Sequence, residues 1–230
     1  VEFIEYLKKI IHSDNSIDIK GSKIILKESN SNSKLQEVSM NYNSEKYDVF
    51  LMTLDENNLL NKKEMFPYFI IPVCSTVDYV LFIKDKETAK YFIFHIELKS
   101  QNPKKKNILK KHITSSKIID FILNVLYLKI LKESDKNIKI KNFPSEFYQA
   151  IIVLYQNNNQ KTKIKNEIEK RSYEQLHYNG TLKEEIYFYT KGLVIRSSKP
   201  NSVINLKDLC EYFQRNIKEK SIEICEKIYN

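Results

Sequence analysis

Asp78-Tyr79-Val80-Leu81-Phe82-Ile83 and Tyr91-Phe92-Ile93-Phe94-His95-Ile96-Glu97-Leu98-Lys99 are two apolar segments joined by the polar stretch Lys84–Lys90. Their reading decides the fold. The second segment has the period of a half-buried strand, with Phe92, Phe94, Ile96 and Leu98 facing a core. From His95 onward the odd positions place His95, Glu97 and Lys99 together on the other face. With a turn centred near Glu87 and Thr88 the two segments are the arms of a β-hairpin, and Asp78 falls opposite Glu97. Two carboxylates facing each other across neighbouring strands repel. A divalent cation between them converts that repulsion into ligation, because hard cations take carboxylate oxygens. Lys99, two residues on, points at the same place.

Around the hairpin the chain reads as alternating helix and strand. Residues 1–12 carry Phe3, Ile4, Leu7, Ile10 and Ile11 on one helical face. Ile17–Leu26 reads as a small hairpin turning at Gly21-Ser22, Ser29–Ser33 as a polar loop, and Lys34–Tyr42 as a short helix. Tyr47–Leu54 is a strand, Asp55–Lys63 a loop, and Tyr68–Val73 an extended apolar piece restricted by Pro67 and Pro72. Ser100–Lys106 is a solvated loop. Ile108–Leu131 is the strongest helix, apolar on more than one face and so expected to lie deep against a sheet. Gln149–Tyr155 is a continuous apolar run, as a central strand should be. Asn157–Tyr178 is charged and is read as an edge helix or a mobile segment. Glu185–Tyr189 and Leu193–Arg196 read as a hairpin turning near Lys191-Gly192, and Leu206–Ile228 as a closing helix or helix pair. The order is that of an α/β protein with a mixed sheet. No internal repeat or domain break is visible, so a single domain spanning 1–230 is expected.

A chain of 230 residues, 42% hydrophobic and 12% aromatic, can bury a substantial core. The net charge of +9 favours a polyanionic partner only weakly. All but three of its 38 basic residues are lysines, and the abundance of Ile, Asn and Lys with no Trp looks like the codon bias of an A+T-rich genome. Cys74, Cys210 and Cys225 lack metal-ligand spacing, which points to reduced thiols and a cytoplasmic protein. No signal peptide is visible, Val1 reads as a trimmed start, and Ile118–Leu131 is interrupted by Asp120, Asn124 and Lys129, so no membrane span is expected.

An acidic residue two before a lysine means little alone. With 29 acidic residues among 230 positions and this many lysines, about four chance matches are expected. The chain has two, Asp18-Ile19-Lys20 and Glu97-Leu98-Lys99. The first lies in a short polar hairpin. The second ends an aromatic strand, faces Asp78 and precedes a long helix. A surface hairpin with solvated Glu and Lys is the plain alternative.

Asp78 … Glu97-Leu98-Lys99, with the helix 108–131 and strand 149–155 behind it, resembles the PD-(D/E)XK nuclease superfamily over residues 34–156. Val77 stands where the motif has proline, which makes the match less specific. The resemblance implies a restriction-endonuclease-like fold, a mixed central sheet flanked by helices, with 157–230 as an accessory part. It implies a Mg²⁺- or Mn²⁺-dependent nuclease cutting DNA, in restriction or antiphage defence, as a homodimer or with a partner protein. By position, Asp78, Glu97 and the Leu98 carbonyl would bind the metal, and Lys99 would orient or activate the attacking water. The family often adds a helical glutamate. Glu37 is the candidate, with Glu45 and Glu64 as rivals. His95 reads first as a packing or hydrogen-bonding residue and only second as a base. Lys110, Thr114 and Lys117 could hold phosphates along the cleft, or could simply be a solvated helix edge, and the Lys104–Lys106 run could track a DNA backbone. The rival functions are a catalytically silent nucleic-acid-binding or scaffold subunit, and an RNase.

Overall fold

The hairpin forms because Asp85 folds its own turn. Its Oδ1 accepts the backbone N–H groups of Glu87 at 2.9 Å and Thr88 at 3.2 Å, while Ala89 takes a left-handed φ of 55°. Strand β5 (Tyr79–Asp85) then pairs antiparallel with β6 (Tyr91–Lys99), Tyr79 against Ile96 and Lys84 against Tyr91. Continued by one residue, that register sets Asp78 against Glu97, as the sequence predicts.

In this computed structural model the residues described are 2–28, 36–54, 76–99, 105–134, 144, 146–156, 173–182, 186–197, 201–216 and 222–223. Outside them lie the loops expected at 29–33 and 55–63, residues 100–104 of the loop expected at 100–106 (Lys105 and Lys106 open a helix instead), the extended piece 68–73, Glu64, Cys74 and Cys225. The molecule is mixed α/β. Its main sheet runs in the order β1 (Ser16–Ile17), β4 (Tyr47–Thr53), β5, β6, β7 (Glu146–Gln156), β9 (Ile186–Ser197) and β8 (Tyr173–Leu182). The pairs β1–β4–β5–β6 are antiparallel, β6–β7–β9 parallel, and β9–β8 antiparallel. The parallel step from β6 to β7 is made by helix α2 (Lys105–Ser134), the long helix expected from sequence. A smaller sheet holds β2 (Lys23–Lys27), β3 (Glu37–Asn41) and β10 (Asn201–Asn205), in the order β10-β3-β2.

Two helices cover one face of the main sheet, and the small sheet with a third helix covers the other. On one side, Phe3, Ile4 and Leu7 of α1 (Phe3–Ile10) and Ile119, Leu123 and Leu126 of α2 pack on Phe50, Val80, Phe82, Ile93, Ile151 and Val153. On the other, Ile24, Leu26, Val38, Met40 and Ile204 of the small sheet join Leu209, Cys210 and Phe213 of α3 (Leu206–Asn216) over Leu81, Phe92, Phe94, Ile96, Leu98 and Ile152. Strand β6 is therefore buried on both faces rather than half-buried, and His95 and Glu97 are inside the protein. The Cys210 thiol is buried, and burial pushes its pKa up.

Several sequence expectations are corrected. Lys34–Tyr42 is not a helix where it is described; Glu37–Asn41 is strand β3, inserted between β2 and β10. The Gly21-Ser22 turn exists, with Gly21 at φ 66°, but only the Lys20–Lys23 bridge joins its arms, and Ser16–Ile17 pairs with β4 instead of β2. Glu185–Arg196 is not a hairpin about Lys191-Gly192. Ile186–Ser197 runs as one strand through Gly192, which pairs with Ile151 on one side and Leu176 on the other. The charged segment ends in strand β8 rather than a helix at residues 173–178. Helix α3 stops at Asn216, and beyond it Ile222–Glu223 is a short strand (β11) against the start of β7.

Candidate metal centre

The two carboxylates meet where the β5–β6 ladder comes apart. A further rung would pair Val77 with Leu98 through two backbone hydrogen bonds. Instead the Leu98 N–H donates to Asp78 Oδ2 at 2.6 Å, and the Val77 N–H donates to Ser115 Oγ of α2 at 2.9 Å. A strand residue directs its N–H and C=O to the same side, so the Leu98 carbonyl is directed to the β5 side at Val77, and the N–H that would have met it in the ladder is engaged elsewhere. From the β4 side, Asp78 is fixed by its own carbonyl, which accepts Thr53 Oγ1 at 3.1 Å and the Leu54 N–H at 3.2 Å.

Glu97 is fully buried. Its Oε1 contacts the Lys99 ammonium and, at 2.7 Å, the Lys111 ammonium from α2. Lys111 also reaches Asp78 Oδ1 at 4.0 Å. Among the described residues Glu97 Oε2 has no hydrogen-bond partner. A buried carboxylate oxygen left bare is costly, and Glu97 stands opposite a second acid, Asp78. Burial, and then the charge of Glu97, hold the Asp78 pKa above the carboxylate range, against the Leu98 N–H, Lys111 and Lys99. Burial pulls the Lys99 pKa down, but Glu97, Asp78 and Glu28 outweigh it and leave it raised.

Three hard oxygen donors of this kind suit a divalent cation. Among the described residues no third His, Cys, Asp or Glu completes a metal cluster. Mg²⁺ commonly needs none, taking one or two carboxylates and leaving the remaining positions to water and substrate phosphate.

Asp78, Glu97 and Lys99 thus come together as the sequence predicts. Glu37 lies on β3 rather than a helix, where its carboxylate accepts Ser39 Oγ at 3.4 Å. Glu45 sits in the turn before β4, at the strand end away from Thr53 and Tyr79. Lys117 faces solvent, paired with Asp120 at 3.6 Å, and the side chain of Lys110 is outside the described residues. Sequence reasoning missed Lys111 and Glu28. Glu28 follows β2, whose Lys27 carbonyl accepts the Tyr79 hydroxyl beside Asp78.

His95 is part of a polar network behind the carboxylates. Gln149 Nε2 donates to Asp120 Oδ1 at 3.2 Å, which leaves Gln149 Oε1 to accept Ser116 Oγ at 3.0 Å and His95 Nε2 at 2.7 Å. His95 therefore carries its proton on Nε2. Its ring meets that of His112 edge-on, with centroids 4.9 Å apart. Burial lowers the His95 pKa to about 4, against the opposing pull of Gln149.

Compared with protein-family models, curated proteins and solved structures, the chain matches none. Among the described residues no helix is long and apolar enough to cross a membrane.

Proposed function

We propose that the chain is a Mg²⁺- or Mn²⁺-dependent nuclease of restriction-endonuclease-like fold, with Asp78, Glu97 and the Leu98 carbonyl as metal ligands and Lys99 beside them. The observation that carries this reading is the buried Glu97, set opposite Asp78 with an Oε2 that no group among the described residues satisfies and with lysine ammoniums on its Oε1. The run from β4 through the β5–β6 hairpin, α2 and the parallel β7 is compatible with such a fold. A bound divalent cation supplies a Lewis acid for a phosphoryl oxygen and a nucleophile at neutral pH.

The chain's own residues do the rest. Asp78 and Glu97 gather negative charge at one end of the hairpin and so fix where a cation binds. The Leu98 N–H orients the Asp78 carboxylate. Lys99, held on Glu97 beside the metal position, brings an ammonium to where a phosphate oxygen would sit, as an electrostatic clamp or as the group that activates the attacking water. His95 is buried against Gln149, so it supports β6 rather than exchanging protons with substrate. The DNA substrate, a cytoplasmic setting, a role in restriction or antiphage defence, and a homodimer or partner protein follow from the family resemblance alone.

Plasmid, linear duplex and RNA offered with Mg²⁺, Mn²⁺ or EDTA test the proposal. Cutting is expected with metal only, and Asp78→Asn and Lys99→Ala should each slow it by about 100-fold or more. Cutting that survives both substitutions removes this site from the chemistry. RNA cut in preference to DNA makes the chain an RNase. Nucleic-acid binding without cutting under every metal leaves a silent binding or scaffold protein.

A further inference from the structure

Among the described residues, Lys111 is the lysine that reaches both carboxylates from outside the hairpin. Its neighbours on α2 are anchored, since His112 and Ser115 are buried and Ser115 holds the Val77 N–H. The Lys111 backbone is therefore fixed while its four-carbon stem is free to turn. Its ammonium lies 2.7 Å from Glu97 Oε1 and 4.0 Å from Asp78 Oδ1. That is the space between the acids that a divalent cation ligated by both must enter.

We propose that Lys111 is a built-in counter-cation: it neutralises the Asp78–Glu97 pair before metal binds, is displaced by the divalent cation, and then pairs with the phosphate of the substrate. The proposal rests on the metal reading above. An ammonium bonded to Glu97 Oε1 and a dication ligated at about 2.0–2.6 Å by the same carboxylates are like charges in nearly the same place, in a buried site where screening is weak. One must leave. The incoming phosphate brings negative charge to the metal, and a lysine released a few ångströms away is a second cation, beside Lys99, placed to meet it. Lys99 is placed differently: it belongs to β6 itself and contacts Glu97 along its own strand.

The test uses the full chain without nucleic acid. Mn²⁺ affinity is measured by titration calorimetry for the wild type, Lys111→Met and Lys111→Gln, and each melting temperature is recorded with and without Mn²⁺. Both variants should bind Mn²⁺ more tightly, by roughly tenfold. Both should gain more melting temperature from Mn²⁺ than the wild type, since a buried pair stripped of its counter-ion gains most from metal. Plasmid cutting at saturating Mn²⁺ should nevertheless fall, because the phosphate contact is lost. A wild type that binds Mn²⁺ while both variants bind it no more tightly overturns the displacement alone. Unchanged cutting by variants that bind more tightly overturns the transfer to phosphate. If no form binds Mn²⁺, the metal reading falls and this inference with it.

Discussion

His95 sits in the sheet with its protonated Nε2 satisfied by Gln149 and its bare Nδ1 facing no partner, so a second proton has nowhere favourable to go. Its pKa of about 4 in the fold, against 6.5 in the open, makes it a liability in acid. Between those values the unfolded chain binds a proton that the folded chain refuses. Stability present above pH 6.5 is therefore lost as the pH falls, by roughly 3 kcal/mol when both are crossed. His112, also lowered by burial, acts in the same direction. Asp78 acts in the opposite one: its raised pKa lets the fold keep a proton that the unfolded chain has shed, so its contribution grows as the pH falls. The wild-type profile mixes these trends. The difference in urea-unfolding free energy between wild type and His95→Gln separates them, because glutamine keeps a hydrogen-bonding group and does not titrate. That difference should move in favour of the variant as the pH falls from 6.5 to about 4. A difference that stays flat over this range would mean that His95 titrates normally.

At the scale of elements, α2 sets both the core behind the site and the cation in front of it. Among its described side chains His112, Ser115, Ile118, Ile119, Leu123, Leu126 and Ile130 are buried, and all but Ile118 are spaced by three and four residues. Leu123 is fully buried whereas Phe121 is 66% exposed. Leu123→Ala should cost about 2–5 kcal/mol in denaturant unfolding, and Phe121→Ala no more than about 0.5. Equal losses would mean that another surface covers Phe121. The existence of this helix was legible from sequence, as was the β5–β6 register, because a turn built by Asp85 fixes every rung up to Asp78. The functional orientation of the helix was not. Lysines recur around its first turns, and only the way α2 crosses β6 decides that Lys111 meets the carboxylates while Lys117 meets solvent. Strand β3 was misread for a related reason. Leu35, Val38 and Tyr42 have helical spacing, while Val38 and Met40, two apart, are the pair buried in the small sheet. Five residues are too few for periodicity to decide, and the partner β10 comes from the far end of the chain. Lys191-Gly192 looks like a turn, yet neighbours on both sides hold it extended.

For the molecule as a whole, the decisive property is that β4–β7 belong to two cores at once. Alternate residues of each strand enter the layer under α1 and α2 or the layer under the small sheet and α3. Stripping away either layer would expose the apolar residues of one whole face of the central strands, at roughly 25 cal/mol for each Å² returned to water. The layers should therefore unfold together although they share no side chains. Leu7 of α1 and Leu209 of α3 are fully buried on opposite sides. Leu7→Ala and Leu209→Ala should each remove about 2–5 kcal/mol, and the double variant should lose their sum to within about 0.5, since the sheet keeps the sites apart. In all four proteins, circular dichroism and tyrosine fluorescence should trace one coincident transition. Because Glu97 lies on a strand common to both layers and Asp78 directly precedes another, the proposed metal site predicts that the melting curve of either variant also carries a Mn²⁺-induced shift. A melt that splits in two, with the metal shift confined to one phase, would show that the layers hold the site independently.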